Sequence, residues 1–223
     1  PKPETVRWVN DKNGCIKIYE DPKPGYPYAL GGDTKGEGSD YFAGTVKNNN
    51  TGNRVATLHG QMQSKYYTAQ MFCLGYHYNQ AVIGIEVNFN TYPIELLTDW
   101  RYPRQYMRQR LDTFTQEIQK MYGWKTDGNT RPLIIEREIT LIEENIEEFN
   151  DIEFLQECLT FARDKNGRPD AMEGKHDDIL FSDMISEAVG DQQGRTVDVE
   201  TNIPDYYEDD DEDNPRRGEN FFD

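Results

Sequence analysis

Apolar and polar positions along the chain predict strands first and helices later. Residues 6–19 carry the apolar and β-branched content of short strands, and Asp21-Pro22-Lys23-Pro24-Gly25 then marks a turn or linker. Residues 26–32 read as a strand closing on Gly31-Gly32-Asp33, followed by the loop Thr34-Lys35-Gly36-Glu37-Gly38-Ser39-Asp40. Residues 41–47 and 54–59 predict two more strands, joined by a hairpin turn over 48–53. Tyr67, Met71, Leu74 and Tyr78 recur at helical spacing within residues 63–78. Ala81-Val82-Ile83-Gly84-Ile85 is a continuous apolar run suited to a buried, parallel-type strand, and it ends on Glu86.

The middle is less definite. Residues 91–100 are compatible with a helix, and residues 106–124 leave helix and hairpin both open. Residues 133–149 predict an amphipathic helix with Ile134, Leu141 and Ile142 inward and the acids outward. Asp151 is placed to cap a short segment through Leu159, residues 161–164 suit a last strand, and Asn166-Gly167-Arg168-Pro169 is a turn. Residues 176–189 predict a closing helix with Ile179, Leu180, Met184, Ile185 and Val189 on one side. Strands that meander and then alternate with helices point to a mixed α/β sheet. No internal repeat is visible.

Composition narrows the classes. The 223 residues are 35 % hydrophobic, which is lean but enough for a core at this length. No apolar run approaches the ~20 residues of a membrane-spanning helix. The opening Pro1-Lys2-Pro3-Glu4 lacks the apolar core of a signal peptide, and Cys15, Cys73 and Cys158 form neither a disulfide framework nor a zinc pair. The expectation is an intracellular protein with reduced thiols. The net charge is −17, and the segment 205–223 holds nine acids against two bases, so we expect a disordered, solvated tail. It lacks the spaced ligands of an EF-hand. Such acidity also argues against a simple basic nucleic-acid module.

Three acidic positions stand out by location. Asp33 ends an apolar strand, Glu86 ends the most apolar strand in the chain, and Asp177 with Asp178 begins the last helix directly after His176. In α/β sheets, strand carboxyl ends and adjacent helix starts converge on one crevice. Carboxylates gathered there repel one another unless cations sit between them. An all-oxygen set favours magnesium or manganese over zinc, and two such ions activate water and stabilise a phosphodiester's leaving oxygen. Singly, each residue has an ordinary reading: Asp33 as a solvated turn residue, Asp177 or Asp178 as a helix cap, His176 as a ligand or a loop residue. His59 and His77 show no partner spacing and read as structural. There is no GxSxG elbow, HExxH or Walker A loop, and no cysteine beside a base.

The residues from Ala29-Leu30-Gly31-Gly32-Asp33 to Asp40 resemble the first motif of the nuclease domain of tailed-phage terminase large subunits. Ile83-Gly84-Ile85-Glu86-Val87-Asn88 resembles the second motif of that family. Gly174-Lys175-His176-Asp177-Asp178-Ile179-Leu180 resembles the third, and Tyr122-Gly123-Trp124-Lys125-Thr126 with Thr130-Arg131-Pro132 resembles a further common stretch. The order matches, with 53 residues from Asp33 to Glu86 and 92 from Glu86 to Asp178. The likeness spans residues 26–190.

This resemblance implies a ribonuclease H-like mixed sheet flanked by helices, and an endonuclease cutting concatemeric viral DNA during packaging in the host cytoplasm. It implies Asp33, Glu86 and Asp178 as catalytic acids holding two Mg2+ or Mn2+ ions, Asp177 as an accessory or alternative ligand, and His176 as shaping the site. Phe181-Ser182-Asp183 departs from the small apolar residues commoner after the third motif. With no Walker A loop in the chain, the ATPase domain of the terminase would be a partner, beside double-stranded DNA, the small subunit and the portal. No membrane partner is expected. We expect a linker with short strands over 1–25, a nuclease domain over 26–204 and the acidic tail over 205–223. Delivery by partners relieves the charge objection, since affinity follows local phosphate neutralisation. Lys35, Arg101, Arg104, Lys125 and Arg131 are candidate backbone contacts. The competing readings are a Holliday-junction resolvase-like nuclease and a non-catalytic packaging module.

Overall fold

Strands β1 (Ile16–Ile18), β2 (Tyr28–Thr34), β3 (Phe42–Asn48), β4 (Arg54–Gly60) and β5 (Val82–Ile85) make one sheet in the order β1-β4-β3-β2-β5. The computed structural model describes residues 7–34, 41–111, 117–146, 149, 151–165 and 167–194. The acidic tail and the glycine-rich loop from Lys35 to Asp40 lie outside them. β2, β3 and β4 form the expected antiparallel meander, and β5 joins β2 in parallel after helix α1 (Ser64–His77). β1, from the segment expected as a linker with short strands, pairs with β4 and widens the same sheet.

The rest of the chain covers the two faces. Helix α2 (Tyr92–Asp99) packs with α1 on one face. Helices α3 (Thr130–Asn145), α4 (Ile152–Thr160) and α5 (Asp178–Gln193) build the core of the other. The ambiguous middle is a hairpin, β6 (Met107–Leu111) with β7 (Ile118–Tyr122), and β8 (Phe161–Arg163) pairs with β9 (Pro169–Ala171) in a second. Asp151 caps α4 as its position suggests, its carboxylate accepting from the Glu153 amide at 3.0 Å. The three cysteines are free thiols. Among the described residues no helix is long and apolar enough to cross a membrane.

The expected outward placement of the α3 acids fails at Glu138, which is buried. The reason is a buried charge network. Lys47 Nζ on β3 lies 2.6 Å from Asp183 of α5, 3.5 Å from Glu187 and 3.9 Å from Glu138. Arg54 Nε on β4 donates to Asp183 at 2.8 Å, and its guanidinium lies 3.7 Å over the Phe154 ring of α4. Asp183, the departure from the family pattern, thus ties α5 to two strands.

Burial alone raises the Asp183 carboxyl pKa, but the Arg54 and Lys47 charges overcome it and hold it below the usual range. A depressed pKa gives stability that is present above the unfolded value of about 3.9 and lost as pH falls through the folded value. Glu138 runs the other way: burial and the Asp183 charge push it up to about 8, against the pull of Lys47. Its stabilisation is complete below the unfolded value of about 4.3 and is lost as pH rises through the folded value. Asp183→Asn is therefore expected to cost about 3–5 kcal/mol at neutral pH by urea denaturation, because two buried cations lose their nearest counter-charge. Glu138→Gln is expected to flatten the decline in stability between pH ~5 and ~8. A wild-type urea midpoint for the first variant, or a wild-type pH profile for the second, would contradict the network's role.

Candidate metal centre

The register sets Asp33 beside Glu86. Gly32 pairs with Ile85 across the parallel β2–β5 ladder, and the Glu86 amide donates to the Gly32 carbonyl at 2.9 Å. Thr34 Oγ1 donates to the Glu86 carbonyl at 3.0 Å, fastening the two strand ends. Pleat parity gives the face. A Cβ on Gly31 would fall 2.2 Å from Ser182 O and Ser186 N of α5, and one on Gly84 would fall 2.3 Å from Val189 Cγ1. Asp33 and Glu86, each two residues further on, share that α5 face.

α5 runs antiparallel to β2. Its Gly190 carbonyl accepts from Asn49 Nδ2 at 2.7 Å just beyond β3, while Ser182 and Ser186 lie against Gly31. Four helix residues back from Ser182 span about 6 Å, and two strand residues from Gly31 to Asp33 span about 6.6 Å. The start of α5 therefore reaches the level of Asp33 and Glu86.

The two aspartates there have different surroundings. Asp177 joins Asp33 and Glu86 in lining a cavity of about 1040 Å³. Asp178 is 0 % exposed and is not part of that lining. It meets His59 of β4 and Glu157 of α4, the set of three among the described residues whose ligand atoms lie within 4.8 Å of one another. Asp33 pairs with Ala43 and Ala43 with His59, so the row His59, Ala43, Asp33 crosses three strands at one sheet edge. Asp178 Oδ2 also lies 3.3 Å from His176 Nδ1, and the Tyr41 ring packs between His59 and His176 at 4.9 and 5.1 Å.

Glu157 Oε2 accepts from the Leu180 amide at 2.8 Å, which seats α4 on the α5 N-terminus. Burial, with the Asp178 and Asp177 charges beside it, pushes the Glu157 carboxyl up to about 8 although the Leu180 amide pulls it down. Burial likewise holds His59 below its ordinary value against the pull of Asp178 and Glu153, which favours the neutral imidazole. Tyr67, under Gly32, is raised well above its usual pKa by burial and by Asp33 and Glu86. Crowded carboxylates at a concave edge, with an oxygen-rich donor set and one imidazole beside it, fit a divalent cation.

His59 and Glu157 were not singled out by spacing. His59 is reached only through strand register, and Glu157 sits in a helix whose docking the sequence does not state. Asn88, two residues after Glu86, has a visible purpose: its amide donates to the Thr126 carbonyl and accepts from the Thr126 amide at 3.1 Å. That joins the second motif to the Gly123-Trp124-Lys125-Thr126 stretch, whose Trp124 amide donates to the Ile85 carbonyl at 2.8 Å. Of the bases considered, Arg131 lines the cavity, Arg101, Arg104 and Lys125 do not, and Lys35 lies outside the described residues. Arg163 and Arg168, which the sequence did not mark, line it as well.

The fold is ribonuclease H-like, the class to which the solved phage terminase nuclease domains belong. The large terminase nuclease from thermophilic phage G20c with bound magnesium superposes with a TM-score of 0.63 at 18 % identity, over 80 % of this chain and 89 % of that one. The cobalt-bound form of that nuclease gives the same values. The Thermus phage P74-26 large terminase nuclease domain gives 0.58 at 18 % identity, over 79 % of this chain and 86 % of that one. No model of a known protein family matches the sequence, and no curated protein does.

A ligand that binds only the folded state at a hundred times its Kd raises stability by about 2.7 kcal/mol. Manganese or magnesium is expected to raise the melting temperature of the wild type and to leave Asp33→Asn combined with Glu86→Gln nearly unmoved. Equal metal-induced shifts in both proteins, read by differential scanning fluorimetry, would place the metal elsewhere.

Proposed function

We propose that the chain is a divalent-metal-dependent endodeoxyribonuclease that cuts concatemeric viral DNA during genome packaging in the host cytoplasm. The observation that carries this reading is that Asp33, Glu86 and Asp177 line one cavity where β2 and β5 end, with Asp178 next to Asp177 at the start of α5. The shared fold with terminase nucleases, one of them solved with magnesium, supports it. In this reading Asp33 and Glu86, with the Asp177–Asp178 pair, would hold two Mg2+ or Mn2+ ions. The start of α5 would close the third side, Asp177 from the cavity and Asp178 from beside His59 and Glu157. Bound ions would supply an activated water and stabilisation of the leaving oxygen.

The protein's own contribution is positioning. Thr34 and the Glu86 amide keep the two strand-end carboxylates abreast. Glu157 fixes the first turn of α5, so Asp177 and Asp178 do not drift as charge gathers. His176 and His59 flank Asp178 and shape its orientation. The ATPase domain, the small terminase subunit and the portal are the partners that would deliver DNA to this acidic chain during packaging.

Asp33→Asn is expected to lower plasmid cleavage by at least about a hundredfold, because it removes a carboxylate charge that would hold the metal. Asp178→Asn is expected to cost more than Asp177→Asn. EDTA should stop the wild type, manganese should restore it at least as well as magnesium, and rising salt should inhibit strongly. Wild-type cleavage in EDTA, or normal cleavage by Asp33→Asn, would overturn the reading. Tight, salt-resistant binding to a four-way junction would favour a resolvase instead.

A further inference from the structure

The cavity wall facing the carboxylates has the charge arrangement of an anion subsite. Arg131, in the first turn of α3, lays its guanidinium 4.4 Å over the ring of Phe181. Phe181 follows Asp177 by four residues, so the ring under Arg131 rises from α5 about 6 Å, one helical turn, beyond the Asp177 backbone. Neighbouring phosphates of a nucleic-acid strand are separated on the same scale. Arg131 Nη2 donates to the Pro169 carbonyl at 3.0 Å, which fixes the plane of the fork. Its Nε is buried with no hydrogen-bond partner among the described residues. Across from it, on the β8–β9 hairpin, stands Arg168, whose side chain is 63 % exposed.

Between these two arginines lies Asp170. One carboxylate oxygen is 3.4 Å from Arg131 Nη2 and the other is 3.7 Å from Arg168 Nε. Both separations exceed the roughly 2.7–2.9 Å of a strong charge-assisted bond. A carboxylate is one negative charge shared over two oxygens, and so is a phosphodiester. We propose that Arg131 and Arg168 form a subsite for one backbone phosphate of duplex DNA, and that Asp170 holds the place of that phosphate in the free protein. DNA entering the cavity displaces Asp170 from the fork, and the strand is then held next to the carboxylate edge. This rests on the nuclease reading above and adds to it the contacts that seat the substrate.

The test is fluorescence anisotropy of a labelled blunt duplex with the intact chain, with calcium replacing magnesium so that binding is read apart from cleavage. Arg131→Gln removes the guanidinium stacked on Phe181 and keeps only part of the stem, and Arg168→Ala changes an exposed side chain; melting temperatures check that both remain folded. Each is expected to weaken binding about tenfold and to lower the slope of log affinity against log salt by about one. Asp170→Asn is expected to tighten binding about two- to fivefold, the worth of exposed ion pairs. That gain is expected to vanish in the Arg131→Gln, Arg168→Ala background, because the two arginines are what Asp170 masks. Glu136→Gln, on the same cavity wall, controls for loss of negative charge alone.

A wild-type salt slope in both arginine variants overturns the proposal, as does an Asp170→Asn gain that persists undiminished without the arginines. Competition by inorganic phosphate at the duplex's own phosphate concentration also overturns it, making the subsite one for free phosphate. If the wild type cuts DNA in manganese while these variants bind as wild type, the subsite alone fails. If the wild type neither binds nor cuts, the nuclease reading fails with it.

Discussion

The seating of α5 on the sheet is the constraint on which the rest depends. Its backbone lies so close to β2 that Gly31 has no room for a Cβ, since one would fall 2.2 Å from Ser182 O. Four anchors hold that approach. Asp183 pairs with Lys47 and Arg54, Ser182 Oγ and Thr45 Oγ1 are 2.7 Å apart, Glu157 takes the Leu180 amide, and Asn49 takes the Gly190 and Gly194 carbonyls. Buried ion pairs add little net stability over an apolar core, but they are strongly directional. Here the direction sets how far α5 travels along β2, and hence where Asp177 and Asp178 stand relative to Asp33 and Glu86.

That placement divides the edge into two environments. Asp177 opens on the cavity, and Asp178 is enclosed with His59 and Glu157. In the proposed reading a divalent metal would sit among the carboxylates of this edge. The arginines on the facing wall share the Asp170 carboxylate, which a backbone phosphate would displace in the proposed subsite. In the proposed reading an acidic chain would keep a local surface suited to DNA, because affinity follows the few charges near the phosphates rather than the whole-chain sum.

Much of this was legible in the sequence where local physics decides. The apolar run before Glu86, the meander and the helix start at Asp178 all follow from periodicity and burial, and Asp151 announced its cap. What escaped was set by distant partners. Glu138 looks like a surface acid until Lys47, 91 positions earlier, is seen beside it. Asp183 looked like a defect in a motif until Arg54 came from β4 to meet it. His59 belongs to the site only because Ala43 sets it in the same row as Asp33, a register that spacing does not contain. Residues 106–124 stayed ambiguous because a two-stranded ribbon with exposed faces has no buried side to impose a period; every residue of β7 is exposed.

The most direct measurement is an anomalous difference map from a crystal of the chain soaked in manganese. Peaks within about 2.0–2.3 Å of carboxylate oxygens of Asp33, and shared with Glu86 and the Asp177–Asp178 pair, are the expected result. Peaks confined to exposed acids such as Asp127 or Glu136, with none at the Asp33–Glu86 edge, would contradict the assignment of this site as the metal centre.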